Sequence, residues 1–262
     1  MHLLKYNFTK ILCLLFLLFG ESFAQERNYA GINLGFSDFH LRDDHASPLF
    51  FRGIGFTPSI QFMYIGESTI HSVALQYIYD YLGSTNENFN TNNYRGKVKY
   101  SFLHHINDFI ISNNQLSLFI GASLSSFLSL SDYRYIDDNL AIKSWYWNHS
   151  LNMEIELLYS FNQKEFISAQ LSLPAISNIS RPKYSPSENY SYSTNSYKVD
   201  VFGKMTFFPK NFFAASTLIY HTPISEVFVL HLEYEFFYSL YNKPKEVDMY
   251  MNNVLAGLFL QF

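Results

Sequence analysis

Apolar residues recur at every second position over long stretches of this chain. The clearest case is 116–130. Leu116, Leu118, Ile120, Ala122, Leu124, Leu128 and Leu130 fall on one face, and Ser117, Gly121, Ser123, Ser125 and Ser129 share the other with Phe119 and Phe127. Alternation with period two is the signature of a β-strand. In 56–64, Phe56, Ile60, Phe62 and Tyr64 alternate with Thr57, Ser59 and Gln61. In 71–81, Val73, Leu75, Tyr77, Tyr79 and Tyr81 alternate with Ser72, Ala74, Gln76 and Asp80. Residues 96–106, 145–161 and 228–240 read the same way, with Lys97 and Lys99, then Glu154 and Glu156, then His231, Glu233 and Glu235 opposite the apolar positions. Many of these runs exceed the ~5–6 residues of an ordinary soluble strand. A tilted membrane strand needs ~9–11 residues, and no segment beyond the first 24 offers the ~18 apolar residues of a membrane helix.

The connections alternate between short and long. "IGEST", "FNQKE" and "HTPISE" are tight, and "NDFIISNNQ" is somewhat longer. "LRDDHASPLFFR", "GSTNENFNTNN", "SDYRYIDDN", "ISRPKYSPSENYSYSTN" and "NKPKEVD" are long and polar. This predicts strands near 28–40, 54–65, 69–83, 94–107, 115–131, 141–161, 164–179, 210–221, 226–241 and 250–262. The expected fold is an all-β, transmembrane, antiparallel up-and-down barrel of about ten strands, with eight or twelve as alternatives. Region 181–221 is the ambiguous one. There "YKVDVFGKMTFF" (197–208) reads as a strand extension, a hairpin with 211–220, or folded loop.

Composition sharpens this picture. The chain holds 27 Phe and 21 Tyr at a mean hydropathy of −0.04. Aromatic girdles at two lipid–water interfaces account for so many aromatics better than a soluble core does. Lys5 and Lys10 precede the apolar run "ILCLLFLLFG", and Ser22 and Ala24 stand at −3 and −1 of a cut before Gln25. Residues 1–24 therefore read as a secretory signal peptide and 25–262 as the barrel domain. The single cysteine, Cys13, lies inside the apolar run, which excludes a disulfide framework and thiolate chemistry from the mature chain. The mature charge of 16 basic and 21 acidic residues has no basic block, so nucleic acid is not an expected partner.

The final residues, "NVLAGLFLQF", put Val254, Ala256, Leu258, Leu260 and Phe262 on one face. With the signal peptide and the alternating strands, this ending resembles the outer-membrane β-barrel proteins of Gram-negative bacteria. The resemblance implies an outer-membrane location with both termini periplasmic. It also implies that Leu258, Leu260 and Phe262 form the signal read by the barrel-assembly machinery. It is unspecific for function.

Ten strands enclose a narrow lumen, whereas wide aqueous channels need about sixteen. The inward positions hold Arg95, Lys97 and Lys99 on one strand and Asp80, Glu154, Glu156, His231, Glu233 and Glu235 on others. Charges inside a low-dielectric wall are expected to pair, which predicts a lumen network joining the lysines to the carboxylates. Its readings are an electrostatic plug, a narrow charge-lined path, or paired carboxylates for acid–base work. At the extracellular rim, Asp38, His40, Asp43, Asp44 and His45 cluster after the first strand, with Asp80, Asp132, Asp137 and Asp138 near the same membrane side. Barrel proteases of the omptin type use Asp and His at this rim, but only the residue types match. A solvated loop surface, bridged by divalent ions to lipopolysaccharide, is the alternative. "NHSLN" (148–152) invites a His–Ser dyad, but His149 and Ser150 are adjacent on a strand and point to opposite faces. His71, His104 and His149 fall on the lipid face. The tyrosines of "YSPSENYSYSTNSY" (184–197) suit a partner-binding surface.

The expected function is non-enzymatic: a structural or surface-binding monomer, or a narrow channel, contacting outer-membrane lipid and lipopolysaccharide. No cofactor and no metal are expected. The alternatives are a barrel-embedded hydrolase at the rim and a subunit of a transport or secretion assembly.

Overall fold

A computed structural model describes residues 27–86, 89–111, 114–135, 140–162, 164–182 and 199–262. None of these residues is helical. They form eleven strands: β1 (Arg27–Asp43), β2 (Ser47–Ile65), β3 (Thr69–Ser84), β4 (Phe89–Ile111), β5 (Asn114–Tyr135), β6 (Leu140–Ser160), β7 (Phe166–Ser180), β8 (Lys204–Phe207), β9 (Asn211–Pro223), β10 (Phe228–Tyr241) and β11 (Val247–Gln261).

Apart from β8 and β9, which both pair with β7, each strand pairs antiparallel with its neighbours in sequence, and β11 returns to β1 in an unbroken register from Tyr29↔Gln261 to Asp43↔Val247. Backbone bonds between Asn28 and Phe262 extend this closure to the last residue. An open sheet edge in lipid would leave N–H and C=O groups unpaired, so a strand-built membrane span has to close. The result is a ten-stave barrel, matching the ten strands that the alternation predicts.

β8 is a continuation rather than an extra stave. β9 pairs with β7 from Phe166↔His221 to Ser172↔Ala215, and β8 pairs with it from Ile176↔Phe207 to Ile179↔Lys204, in the same direction. The turn at 208–210 steps the chain sideways between the two pieces, and Asn211 continues on the β10 side against Tyr241. Of the three readings of 197–208, the strand extension holds for Lys204–Phe207. Leu173, Pro174 and Ala175 are left outside the β7–β9 ladder at this step. Pro174 has no N–H to give there, and the β6–β7 register also shifts at this level.

The alternation is seen directly in burial. Apolar residues ring the outer wall, among them Phe36 (65% exposed), Ile54 (72%), Leu124 (60%) and Val254 (62%). Their strand neighbours Ser37, Thr57, Ser123 and Asn253 point inward and are buried. Polar inside and apolar outside is the inverse of a soluble sandwich and is the arrangement of a barrel in lipid. Some of the expected long connections are shorter than the sequence implied. "LRDDHASPLFFR" is mostly strand, with only a turn at Asp44–Ala46, because backbone pairing continues past the apolar belt. β5 likewise runs on to Tyr135 through residues read as loop. The tyrosine-rich segment 184–197, Asp137, Asp138 and residues 1–24 lie outside the described residues.

Leu124→Arg places a cation on the lipid face. It is expected to cost roughly 2–4 kcal/mol if Leu124 lies near the bilayer midplane, while Leu124→Phe stays within about 1 kcal/mol. Denaturant unfolding in lipid vesicles measures both. Equal effects would place this face away from lipid.

Candidate functional site in the barrel lumen

The lumen is filled, and its filling is layered. At the end carrying both chain ends, Tyr29, Met63, Ile70, Leu103, Phe119, Leu158, Phe166, Val229 and Phe259 form one buried apolar cluster. These residues come from the inward positions of nine of the ten staves. Towards the other end, a larger cluster includes Phe39, Phe51, Ile78, Phe127, Tyr146, Phe213, Phe237 and Met251. Several of its contacts cross the lumen. The Phe127 and Phe237 rings, from β5 and β10, lie 5.0 Å apart, and Tyr146 and Ser239 hydroxyls are 3.2 Å apart.

The lysine–carboxylate pairs lie between these two layers, and the Arg95–Asp80 pair lies within the larger cluster, against Phe39. Arg95 is fully buried. Its Nε and Nη2 donate to Asp80 Oδ2 at 3.0 and 2.5 Å, and Nη2 also donates to Ser37 Oγ at 3.0 Å. Its guanidinium carbon stands 3.7 Å from the Phe39 ring centroid. Gly55 is paired with Asp80 across β2–β3, and a Cβ at position 55 would fall inside the Asp80 carboxylate. The missing side chain is what makes room for the ion pair.

Two strand positions further along β4, Lys97 reaches across the lumen to Glu235 on β10, which also accepts from Asn253 Nδ2 at 3.0 Å. Lys99 Nζ lies 2.7 Å from Glu154 Oε1 and donates to Gln170 Oε1 at 2.8 Å. Gln170 Nε2 donates to Glu156 Oε2 at 3.3 Å. Every second residue of β4 from Arg95 to Lys99 thus meets a carboxylate, because the strand period aims these three into one lumen. A second group joins His221 and His231 through their ring nitrogens at 2.5 Å, and His231 Nε2 lies 3.0 Å from Glu233 Oε2. His231 stacks on Phe259 and His221 on Phe166, which ties this group to the apolar layer.

The rim residues do not converge. Asp38 and His40 face the outside of the wall. Asp38 takes a bidentate bond from Arg52 (3.1 Å twice), and His40 stacks on Tyr250 at 3.9 Å. Asp43 faces inward, accepting from Arg181 Nη2 at 2.5 Å and Ser144 Oγ at 2.7 Å. Asp44 lies 3.6 Å from Arg42, and the His45 backbone N–H donates to Asp43 at 3.1 Å. Asp38 and His40 share the outer face, with His40 Nε2 3.4 Å from Asp38 Oδ1, while Asp43 faces the lumen, so the five residues do not form one cluster. Among the described residues no group of His, Cys, Asp and Glu is arranged to hold a metal ion. His149 reaches outward to the Val201 carbonyl at 3.0 Å, while Ser150 points inward to Ser125 at 2.7 Å, so they form no dyad. Ser125 is packed against Ser150 and Asn152, so the lumen has less room at this position than an inward serine implies.

Sequence reasoning did not single out Gln170, Asn253, His221 or Arg181. Gln170 and Asn253 were readable, since they keep the inward register of β7 and β11. His221 was hidden by its place in an apparent turn. Arg181 had no signal, because it follows the end of β7 and folds back over the carbonyls of Lys243 (3.2 Å) and Lys245 (2.5 Å).

No protein-family model and no curated protein matches the chain. Solved structures do. The outer membrane protease OmpT from Escherichia coli is 10% identical, with 93% of this chain and 99% of that one covered and a TM-score of 0.48. The translocator domain of the autotransporter NalP from Neisseria meningitidis is 10% identical, with 98% and 96% covered and a TM-score of 0.45. An outer membrane channel from Pseudomonas putida F1 is 6% identical, with 92% and 97% covered and a TM-score of 0.40. All three are outer-membrane β-barrel proteins, and a protease, a translocator and a channel share no single job.

Asp80→Asn strands the Arg95 cation in the wall and is expected to cost about 3–5 kcal/mol. The double change Asp80→Leu with Arg95→Met is expected to recover most of that loss. Unfolding midpoints of the three barrels in detergent decide it, and an additive double variant would mean the pair is not coupled.

Proposed function

We propose that this protein is a sealed, monomeric outer-membrane barrel of a Gram-negative bacterium that acts without catalysis, as a structural or surface-binding element. The observation that carries the reading is the layering of the lumen. A conducting path needs a continuous wetted route. Here the layer of lysine–carboxylate pairs lies between two apolar clusters whose side chains meet across the barrel. The charges then serve as an electrostatic plug in which each buried cation has a carboxylate.

On the outer wall, Arg52–Asp38 and the group of Arg42 with Asp44 and Glu246 stand beyond the apolar belt. Such pairs suit contact with the phosphate and sugar headgroups of lipopolysaccharide. The closing strand supports a role for Leu258, Leu260 and Phe262 in recognition by the barrel-assembly machinery. All three project outward, Phe262 with 59% of its surface exposed.

The lumen reading is tested in planar bilayers. The inserted barrel is expected to give no steady single-channel conductance, and Glu156→Gln is expected to leave it silent. A steady current altered by that change would make the protein a narrow charge-lined channel instead. For the terminal strand, deleting Phe262 is expected to lower assembly in cells more than refolding in detergent. Equal losses would assign Phe262 to barrel closure alone.

A further inference from the structure

The apolar layer at the chain-end side forms the floor of an open cup of about 670 Å³. This volume lies within the ~300–1,000 Å³ range of small-molecule sites. Phe119, Leu158 and Phe166 belong to both the floor and the apolar layer, so the cup is a dead end and not the mouth of a pore.

Its rim is charged with both signs, on different staves. Glu67 in the β2–β3 turn and Asp108 on β4 bring two carboxylates. Arg27 on β1 and Lys164 in the β6–β7 turn bring two cations. Among the described residues, Arg27 and Glu67 make no hydrogen bond or ion pair, while Lys164 donates to the Glu226 carbonyl at 3.3 Å. Asp108 is held in place by Ser117 Oγ at 2.6 Å and His105 Nε2 at 2.8 Å, both on its Oδ1. The acid therefore sits between the serine and the histidine. That order gives no base-activated serine, so the trio is a positioning device and not a hydrolytic one. Gln261 of β11 also lines the cup.

From this arrangement we infer a binding site for a short zwitterionic peptide. Glu67 and Asp108 take its ammonium group, Arg27 and Lys164 its carboxylate. An apolar side chain rests on Phe119 and Phe166. A ligand carrying only one charge would leave half of the rim unmatched.

The test uses the whole folded barrel in detergent and the tripeptide leucylalanylalanine, followed by isothermal titration calorimetry. Saturable binding is expected. Blocking the peptide's amine by acetylation or its carboxylate by amidation is each expected to weaken binding roughly tenfold, the scale of one charge-assisted hydrogen bond. Glu67→Gln is expected to remove the acetylation penalty and Arg27→Gln the amidation penalty. Asp108→Asn should act like Glu67→Gln. If it does not fold, as judged by heat-dependent gel mobility, the two exposed-rim variants still decide the matter. No saturable heat from any peptide overturns the inference, as do equal affinities for the free, acetylated and amidated forms. Conductance of the same preparation tests the sealed-lumen reading separately, so a silent barrel that binds nothing removes only the cup.

Discussion

Backbone hydrogen bonding in a medium without water governs everything else in this molecule. Once strands cross lipid, each N–H and C=O needs a partner in the wall. β11 must find β1, and it does so over fifteen consecutive residue pairs. Closure fixes the in–out register of every stave. The register then dictates which side chains enter a narrow lumen, whether or not they suit one another. The interior chemistry follows from that constraint: β4 delivers three cations inward, and carboxylates on β3, β6 and β10 meet them.

The buried pairs are better understood as a matching condition than as a source of net stability. Taking a guanidinium out of water costs several kcal/mol, and a well-placed partner offsets much of it. Arg95 shows how closely the surroundings are fitted to this. Its partner Asp80 has its place because residue 55 is a glycine, and its face rests on Phe39. Apolar layers on either side keep the pairs away from competing water and so strengthen them.

The strands, their direction and their facing were legible because alternation is a local property. The same rule separated His149 from Ser150 and placed Lys97 and Lys99 in the lumen. What was not legible depends on contacts far apart in sequence. Which carboxylate each lysine meets is set by stave order and tilt, so Lys97 finds Glu235, 138 residues away, and Lys99 finds Glu154. Strand ends were read short, since polar residues such as Asp43 and Tyr135 look like loop although the ladder runs through them. Asp38 and Asp43 looked like one cluster, but five residues along a strand put them on opposite faces. The cup drew on residues that look ordinary in sequence, brought together only where seven staves end.

The step between β8 and β9 has a mechanical consequence. Elsewhere the wall is cross-linked along its length by backbone bonds, which makes it a stiff shell. Along Leu173–Ala175 the ladder on the β8–β9 side is interrupted, while Leu173 and Pro174 stay paired with β6. A cylinder with one such line is softer in bending there than around the rest of its circumference. Lateral pressure from the bilayer would therefore flatten the barrel about that line first.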